Sequence, residues 1–354
     1  VLKLFGQKHH RILGVDISST AVKIIEISST GDKYCVEGYG YANLPDGSME
    51  GSVVKNVDAV ANCLRTVLAA QKFTCKKAVI AVPDSLAISR TIQIHEGMKD
   101  DEIEELVIIE ADKYIPYPID EINIDFKVIG TSAKNTAMQD VLIVASRAEN
   151  VSDRVEAITR AGLEAAIVDI ESFAVERAAQ TFAPDLPSKG ENKIIAIIDI
   201  GADYTDFFVL HGMKIIFTRE EEFGGSQLTQ SIMQQYGISF EEAMKGYYDG
   251  TLPQDFNKEV LQPFQELILL QVKRDLQFFF SSSDYTHVDY ILFAGGVAKI
   301  PDMAQLIQDH VNIPTDIANP FKHMDIGKKV NKEEITIDSP SLLVACGLAL
   351  RSSL

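Results

Sequence analysis

Short apolar, β-branched runs alternate with helix-period segments along most of the chain. "RILGVDI" and "VKIIEIS" read as strands, "VDAVANCLRTVLAAQ" as a helix and "KAVIAVP" as a further strand. This alternation predicts a mostly parallel sheet covered by helices. After "AVPDSLAISRTIQI" comes a long acidic helix, "KDDEIEELVIIEADKYI", which the two prolines of "IPYPIDE" terminate, since proline lacks the N–H and clashes with the preceding turn. Strand-like "INIDFKVIG" and "DVLIVASR" follow, joined by "GTSAKNTAMQ" as a hairpin tip, then a helix over "NVSDRVEAITRAG". Residues 87–166 thus predict a compact α+β insertion. "FAPDLPSKGEN" carries Pro, Gly, Ser and charge without apolar periodicity, so 182–192 reads as a linker.

One feature of the pattern occurs twice. "ILGVDISSTAVKIIEI" holds an aspartate between two apolar strands, and "IIAIIDIGADYTDFFVL" repeats it when Asp199 is placed on Asp16. Two such hairpins, each heading one half of the chain, predict a duplicated architecture with a ligand between the halves. A carboxylate at a buried strand end is costly unless something there wants negative charge. Paired Asp16 and Asp199 suit a hydrated Mg²⁺, which keeps several waters and takes one or two carboxylates plus phosphate oxygens. The loops behind them, Ser18, Ser19 and Thr20 in the first and Gly201, Ala202, Asp203, Tyr204 and Thr205 in the second, offer backbone N–H nests and hydroxyl donors for an anion. Lys23 stands where it would neutralise a phosphate. A third unit, "YILFAGGVAKIPDMAQLI", places Gly295 and Gly296 at a strand-to-helix turn, where absent side chains let a flat ring or a sugar approach the backbone.

Composition narrows the classes. Of 354 residues 46% are hydrophobic, enough for a sizeable core, and the net charge is −18 from 33 basic and 51 acidic residues. That balance weighs against general nucleic-acid binding or electrostatic docking on anionic lipid. Cys35, Cys63, Cys75 and Cys346 are scattered without a CxxC pair, so neither a zinc site nor a disulfide framework is expected. No apolar run approaches the ~20 residues that span a bilayer, and "VLKLFGQKHHRI" lacks the apolar core of a signal peptide. The expectation is a soluble cytoplasmic α/β protein. Neither GxGxxG nor GxxxxGK[ST] occurs, which argues against a plain dinucleotide fold and a P-loop NTPase.

The order of these pieces resembles the actin/Hsp70/sugar-kinase superfamily of ATP-binding folds. "GVDISSTAVK" is similar to its first phosphate motif, "IIDIGADYTDF" to its second and "LFAGGVAKIP", with Val297, to its adenosine motif. "FGGSQLTQSI" matches the segment after the second motif and brings in Gly224 and Gly225. Glu242 and Lys245 of "ISFEEAMKG" fall where the superfamily brackets ribose and adenine. "IVDIESFAVERAAQ" and "SLLVACGLALR" resemble the two connecting helices, and Glu171 falls on the water-positioning residue that starts the first of them. The insertion sits where FtsA-like proteins carry their extra subdomain, and "ADKYIPYPIDEI" and "RDLQFFFSSS" resemble the PilM family of type IV pilus assembly proteins.

The resemblance implies an α/β, duplicated actin-like (FtsA-like) ATPase fold. Residues 1–86 and 167–190 would form subdomain 1A, with the helix 339–354 returning to it; 87–166 would form the inserted subdomain 1C and 191–338 the second half, 2A/2B. It further implies an ATP- and Mg²⁺-binding protein beneath the inner membrane. Its expected partners are the N-terminal cytoplasmic tail of the bitopic protein PilN, held in a groove beside the insertion, other proteins of the pilus inner-membrane platform, and further copies of itself. A small-molecule kinase and a membrane-anchored FtsA-like filament are the rival readings. The chain's end at "LALRSSL" is expected to leave no separate amphipathic anchor. Ser18 and Asp203 depart from the glycines common in relatives, so ATP binding is a stronger expectation than fast hydrolysis.

Overall fold

The computed structural model describes residues 10–31, 33–132 and 135–351. The ends of the ranges above, 1–9 and 352–354, and residues 133–134 of the hairpin tip lie outside them. In the first half, β1 (His10–Ile17), β2 (Ala21–Thr30) and β3 (Lys33–Asn43) form an antiparallel meander. The short pair β4 (Met49–Glu50) and β5 (Val53–Val54) leads to α1 (Val57–Ala70), which starts where the Asn56 side chain accepts from the Ala59 N–H. β6 (Lys77–Val82) then runs parallel to β1.

A single turn, Asp84–Leu86, separates β6 from β7 (Ala87–His95). α2 (Asp100–Ala111), β8 (Ile122–Thr131) and β9 (Met138–Arg147) complete a separate antiparallel sheet of order β7-β9-β8. Ile92, Ile94, Val141 and Ile143 pack against Ile103 and Val107 of α2. α2 stops at Ala111, earlier than its apolar pattern predicts, and continues as tighter turns to Ile115, whose place before Pro116 disfavours helical backbone. α3 (Ala148–Arg160) packs back on the first sheet, with Ala157 and Ile158 sharing a core with Leu13, Val15 and Leu64. β10 (Glu164–Ile170) joins that sheet beside β6, so 148–166 of the expected insertion packs with the first half. α4 (Glu171–Ala179) leads out.

Residues 182–192 are not a loose linker. They form consecutive 3₁₀ turns that bury Phe182 and Leu186 in one core with Ile195, Phe208 and Leu210. The second half then repeats the first: β11 (Ile194–Ile200), β12 (Thr205–His211) and β13 (Lys214–Glu221) form a meander. After α5 (Ser226–Tyr236), α6 (Phe240–Asp249) and α7 (Gln262–Ser282), β14 (Tyr290–Ala294) runs parallel to β11, and α8 (Met303–Val311) precedes β15 (Thr315–Ile317). β16 (Asp325–Ile326) crosses back to pair with β3, so the range 191–338 contributes one strand to the first sheet. α9 (Lys332–Asp338) and α10 (Leu343–Ala349) follow.

The two sheets have orders β10-β6-β1-β2-β3-β16 and β13-β12-β11-β14-β15, the same sequence of roles read in opposite directions. Both are mixed, with three of five pairings parallel in the first and two of four in the second, because turns as short as 18–20 and 201–204 join only antiparallel neighbours. α4 and α10 lie between the halves. Ala174 packs with Ile12 and Val79 of the first sheet, whereas Val175 and Ala178 pack with Ile195 and Ile197 of the second. Leu343 and Ala345 of α10 divide in the same way. The helices meet backbone to backbone: a Cβ on Gly347 would lie 1.8 Å from the Ala174 carbonyl oxygen.

Candidate functional site

The two aspartate hairpins superimpose in their bonding. The Ser18 N–H donates to the Ala21 carbonyl at 2.9 Å, and the Gly201 N–H to the Tyr204 carbonyl at 2.9 Å. In cross-strand register Asp16 faces Lys23, and Asp199 faces Asp206. The first loop adds a bond of its own, the Ser18 hydroxyl donating to the Ala21 carbonyl at 3.0 Å. Ser19 and Thr20 are half-buried beside it.

The remaining pieces gather at the second loop. The Gly225 and Ser226 N–H groups donate to the Gly201 and Ala202 carbonyls (2.9 and 2.8 Å). A Cβ on Gly224 would lie 2.3 Å from the Ala202 oxygen, and one on Gly225 3.2 Å from Val297. Gly295, with φ +88°, sits where a Cβ would come within 2.6 Å of Asp199 Oδ1. Asp203 accepts from the Ser226 hydroxyl at 2.7 Å. The acid that stands in place of a glycine is therefore tied to the start of α5. Tyr204 reaches across the cleft to the turn after β4, where a Cβ on Gly51 would lie 2.9 Å from its hydroxyl. Thr205 is buried and donates to the Phe223 carbonyl at 2.8 Å.

Glu242 has a local role. Its carboxylate accepts from the Ser239 N–H (2.9 Å) and hydroxyl (2.8 Å), closing the capping box of α6. Lys245 is exposed one turn further along.

The charges in the cleft are unbalanced. Asp16 is 5% exposed and paired at 2.9 Å with Lys23. Burial opposes the Lys23 charge, but Asp16, with weaker help from Asp199 and Glu171, holds the ammonium above its usual range. Asp199 lacks such a partner: burial pushes its carboxyl up to about 6, with Asp16 adding and Lys23 opposing. Glu171, at the first position of α4, is raised well above the usual range by burial and by Asp16 and Asp84. Asp206 is raised likewise, by burial and by Glu171 and Asp199.

Sequence reasoning missed Asp206, although counting from each aspartate to its cross-strand partner gives Lys23 in one hairpin and Asp206 in the other. It also missed Arg154. This guanidinium is fully buried against the turn between β4 and β5, donates to the Ser52 (2.6 Å) and Asn150 (3.2 Å) carbonyls, and is pushed below its usual range by burial, with Glu171, Asp153 and Asp16 opposing. Nothing in the local pattern of α3 marks it.

This cleft fits a polyphosphate carrying a hard divalent cation. Its acids are carboxylates only, the donors that suit Mg²⁺ rather than softer metals. Burial and the neighbouring Asp16 raise Asp199 despite Lys23, and a bound cation would favour its charged form. Among the described residues no group of three or more His, Cys, Asp or Glu could hold a metal alone, so a cation here would take water and ligand oxygens as well. Gly296 is exposed and a Cβ there would meet nothing within 4 Å, so the space beside it is open.

Comparison with known proteins identifies the fold and the family. A solved structure described as a PilM–PilN type IV pilus biogenesis complex matches 97% of this chain and 98% of that one, with TM-score 0.78 and 25% identity. The ethanolamine utilization protein EutJ from Carboxydothermus hydrogenoformans matches with TM-score 0.57 at 16% identity, over 98% of this chain and 91% of that one. The cell division protein FtsA of Bacillus subtilis (strain 168) is 23% identical over 360 residues, covering 87% of this chain and 78% of FtsA. The architecture is an actin-like ATPase fold, mixed α/β. Its family model, type IV pilus assembly protein PilM, matches residues 14–353. The chain belongs to the PilM family of type IV pilus assembly proteins.

Proposed function

We propose that this chain is an ATP-binding scaffold of the type IV pilus inner-membrane platform, which captures the N-terminal cytoplasmic tail of PilN. The observation that carries the reading is the near-complete match to a PilM–PilN complex at TM-score 0.78. The tail would lie in a groove between the first subdomain and the inserted one, with 1–86, 167–190 and 339–354 as 1A, 87–166 as 1C and 191–338 as 2A/2B. Among the described residues no helix is long and apolar enough to cross a membrane, so membrane association would run through partner proteins.

In this reading Asp16 and Asp199 flank Mg²⁺. Ser18–Thr20, Lys23 and the 201–205 loop surround the phosphates, while Gly224, Gly225, Gly295, Gly296 and Val297 line the nucleoside side. Glu242 and Lys245 lie further out on α6. Bound Mg²⁺ would supply the positive charge that lets an anionic nucleotide approach four carboxylates. Glu171 and Asp206 face the same space as candidate proton acceptors or water-orienting groups. Two closure states with different affinity for the tail would couple nucleotide to assembly.

Thermal unfolding with and without Mg²⁺–ATP, beside anisotropy of a labelled PilN tail peptide, tests both parts. ATP is expected to raise the melting temperature, and Asp16→Ala with Asp199→Ala to abolish that rise and weaken tail binding. No rise in the parent chain, together with unchanged tail binding in the double variant, rejects the nucleotide part. No binding of the tail by the parent chain rejects the scaffold part.

A further inference from the structure

Only Pro83–Leu86 connect β6 of the first sheet to β7 of the inserted sheet, and three consecutive residues there bond to three different bodies. The Asp84 carboxylate accepts from the Ser172 N–H at 2.8 Å, at the start of α4 and next to Glu171. The Ser85 hydroxyl donates to Glu220 Oε2 at 3.1 Å, on β13 of the second half. The Leu86 carbonyl accepts from the Ser146 hydroxyl at 2.7 Å, on β9 of the inserted sheet. The Leu86 N–H also closes the turn onto the Pro83 carbonyl at 3.0 Å.

The turn is stiff. Proline fixes one dihedral at its entry, the internal bond closes it, and a strand continues from each end. The bonds differ in permanence: Ser146 is buried, whereas Ser85 is exposed. The bond to the second half is thus the one that cleft motion can stretch or break, while the bond to β9 carries any displacement of the turn into the inserted sheet.

We propose that the 84–86 turn transmits cleft closure to the inserted sheet, with Ser85–Glu220 as the contact that senses the second half. This rests on the nucleotide-and-tail reading above and assigns the coupling in it to particular residues. Ser85 and Glu220 are positioning residues, which act through the pose of β7–β9.

Hydrogen exchange of the full chain with and without Mg²⁺–AMPPNP tests it, peptide by peptide, in the parent chain and in Ser85→Ala, Glu220→Ala and Glu220→Gln. In the parent chain nucleotide should protect the 16–20 and 199–205 loops and change exchange across β7–β9 by about fivefold, the lower end of ordinary allosteric coupling. Ser85→Ala and Glu220→Ala should keep the loop protection and lose the β7–β9 response. Glu220→Gln keeps an acceptor oxygen and should retain the response. A β7–β9 response unchanged in both alanine variants, or absent from the parent chain while the loops are protected, overturns the proposal. Loops unprotected in the parent chain overturn the nucleotide reading itself, and the proposal with it.

Discussion

The two aspartate hairpins share a backbone and differ in charge. Each closes its loop with the same N–H to carbonyl bond at 2.9 Å. In the first, Lys23 opposite Asp16 completes an ion pair; in the second, Asp206 opposite Asp199 adds a second carboxyl. The strand-end aspartate is paired in one jaw and pushed up to about 6 in the other. Duplication therefore preserved the frame while the charges diverged. The second jaw sets two carboxyls opposite each other where the first sets a carboxylate and an ammonium.

Removing the pairing from the first jaw should have the largest effect. Lys23→Met leaves the buried Asp16 without its cation, and breaking a buried pair by deleting one partner costs about 3 kcal/mol or more. Urea unfolding should show that loss.

The second jaw should show its imbalance in pH dependence. Asp199 holds its proton more tightly when folded than its ordinary value of 3.8 would allow when unfolded. Its contribution is thus most favourable at low pH and is lost as pH rises from about 4 to about 6. Melting temperatures of the parent chain and of Asp199→Asn should diverge across that window. Mg²⁺–ATP should narrow the gap at neutral pH by stabilising the parent carboxylate. Identical profiles in the two proteins would break the contrast between the jaws.

Ser18→Gly, which makes the first loop like the second, should have the smallest effect. It removes one hydroxyl-to-carbonyl bond, worth about 1 kcal/mol. A denaturant midpoint nearly equal to the parent's would fit, and a large loss would mean that the loop depends on the serine.

The paired hairpins were legible in the sequence because a charged residue between two apolar strands is locally anomalous, and the anomaly occurs twice. The glycine turns were legible for a related reason: Gly295 and Gly224 stand where backbones come too close for a Cβ. Arg154 was not legible, since its burial depends on α3 packing over a turn about a hundred residues earlier. Nor was the Ser85–Glu220 contact, between two ordinary polar residues brought together by the packing of the halves. The 182–192 segment misled because its turn-forming residues outnumber Phe182 and Leu186, the two that anchor it. Glu242 carries a second role that its spacing to Lys245 did not announce, the cap it forms with Ser239 at the start of α6.

The crossing of α4 and α10 sets how the halves can move. With no side chain between Gly347 and the Ala174 carbonyl, and Arg177 Nε donating to the Gly347 carbonyl at 3.0 Å, the contact acts as a rivet. Sliding would drive one backbone into the other, whereas rotation about the crossing leaves it intact. Were the halves to turn about this crossing, displacement would grow with distance from it.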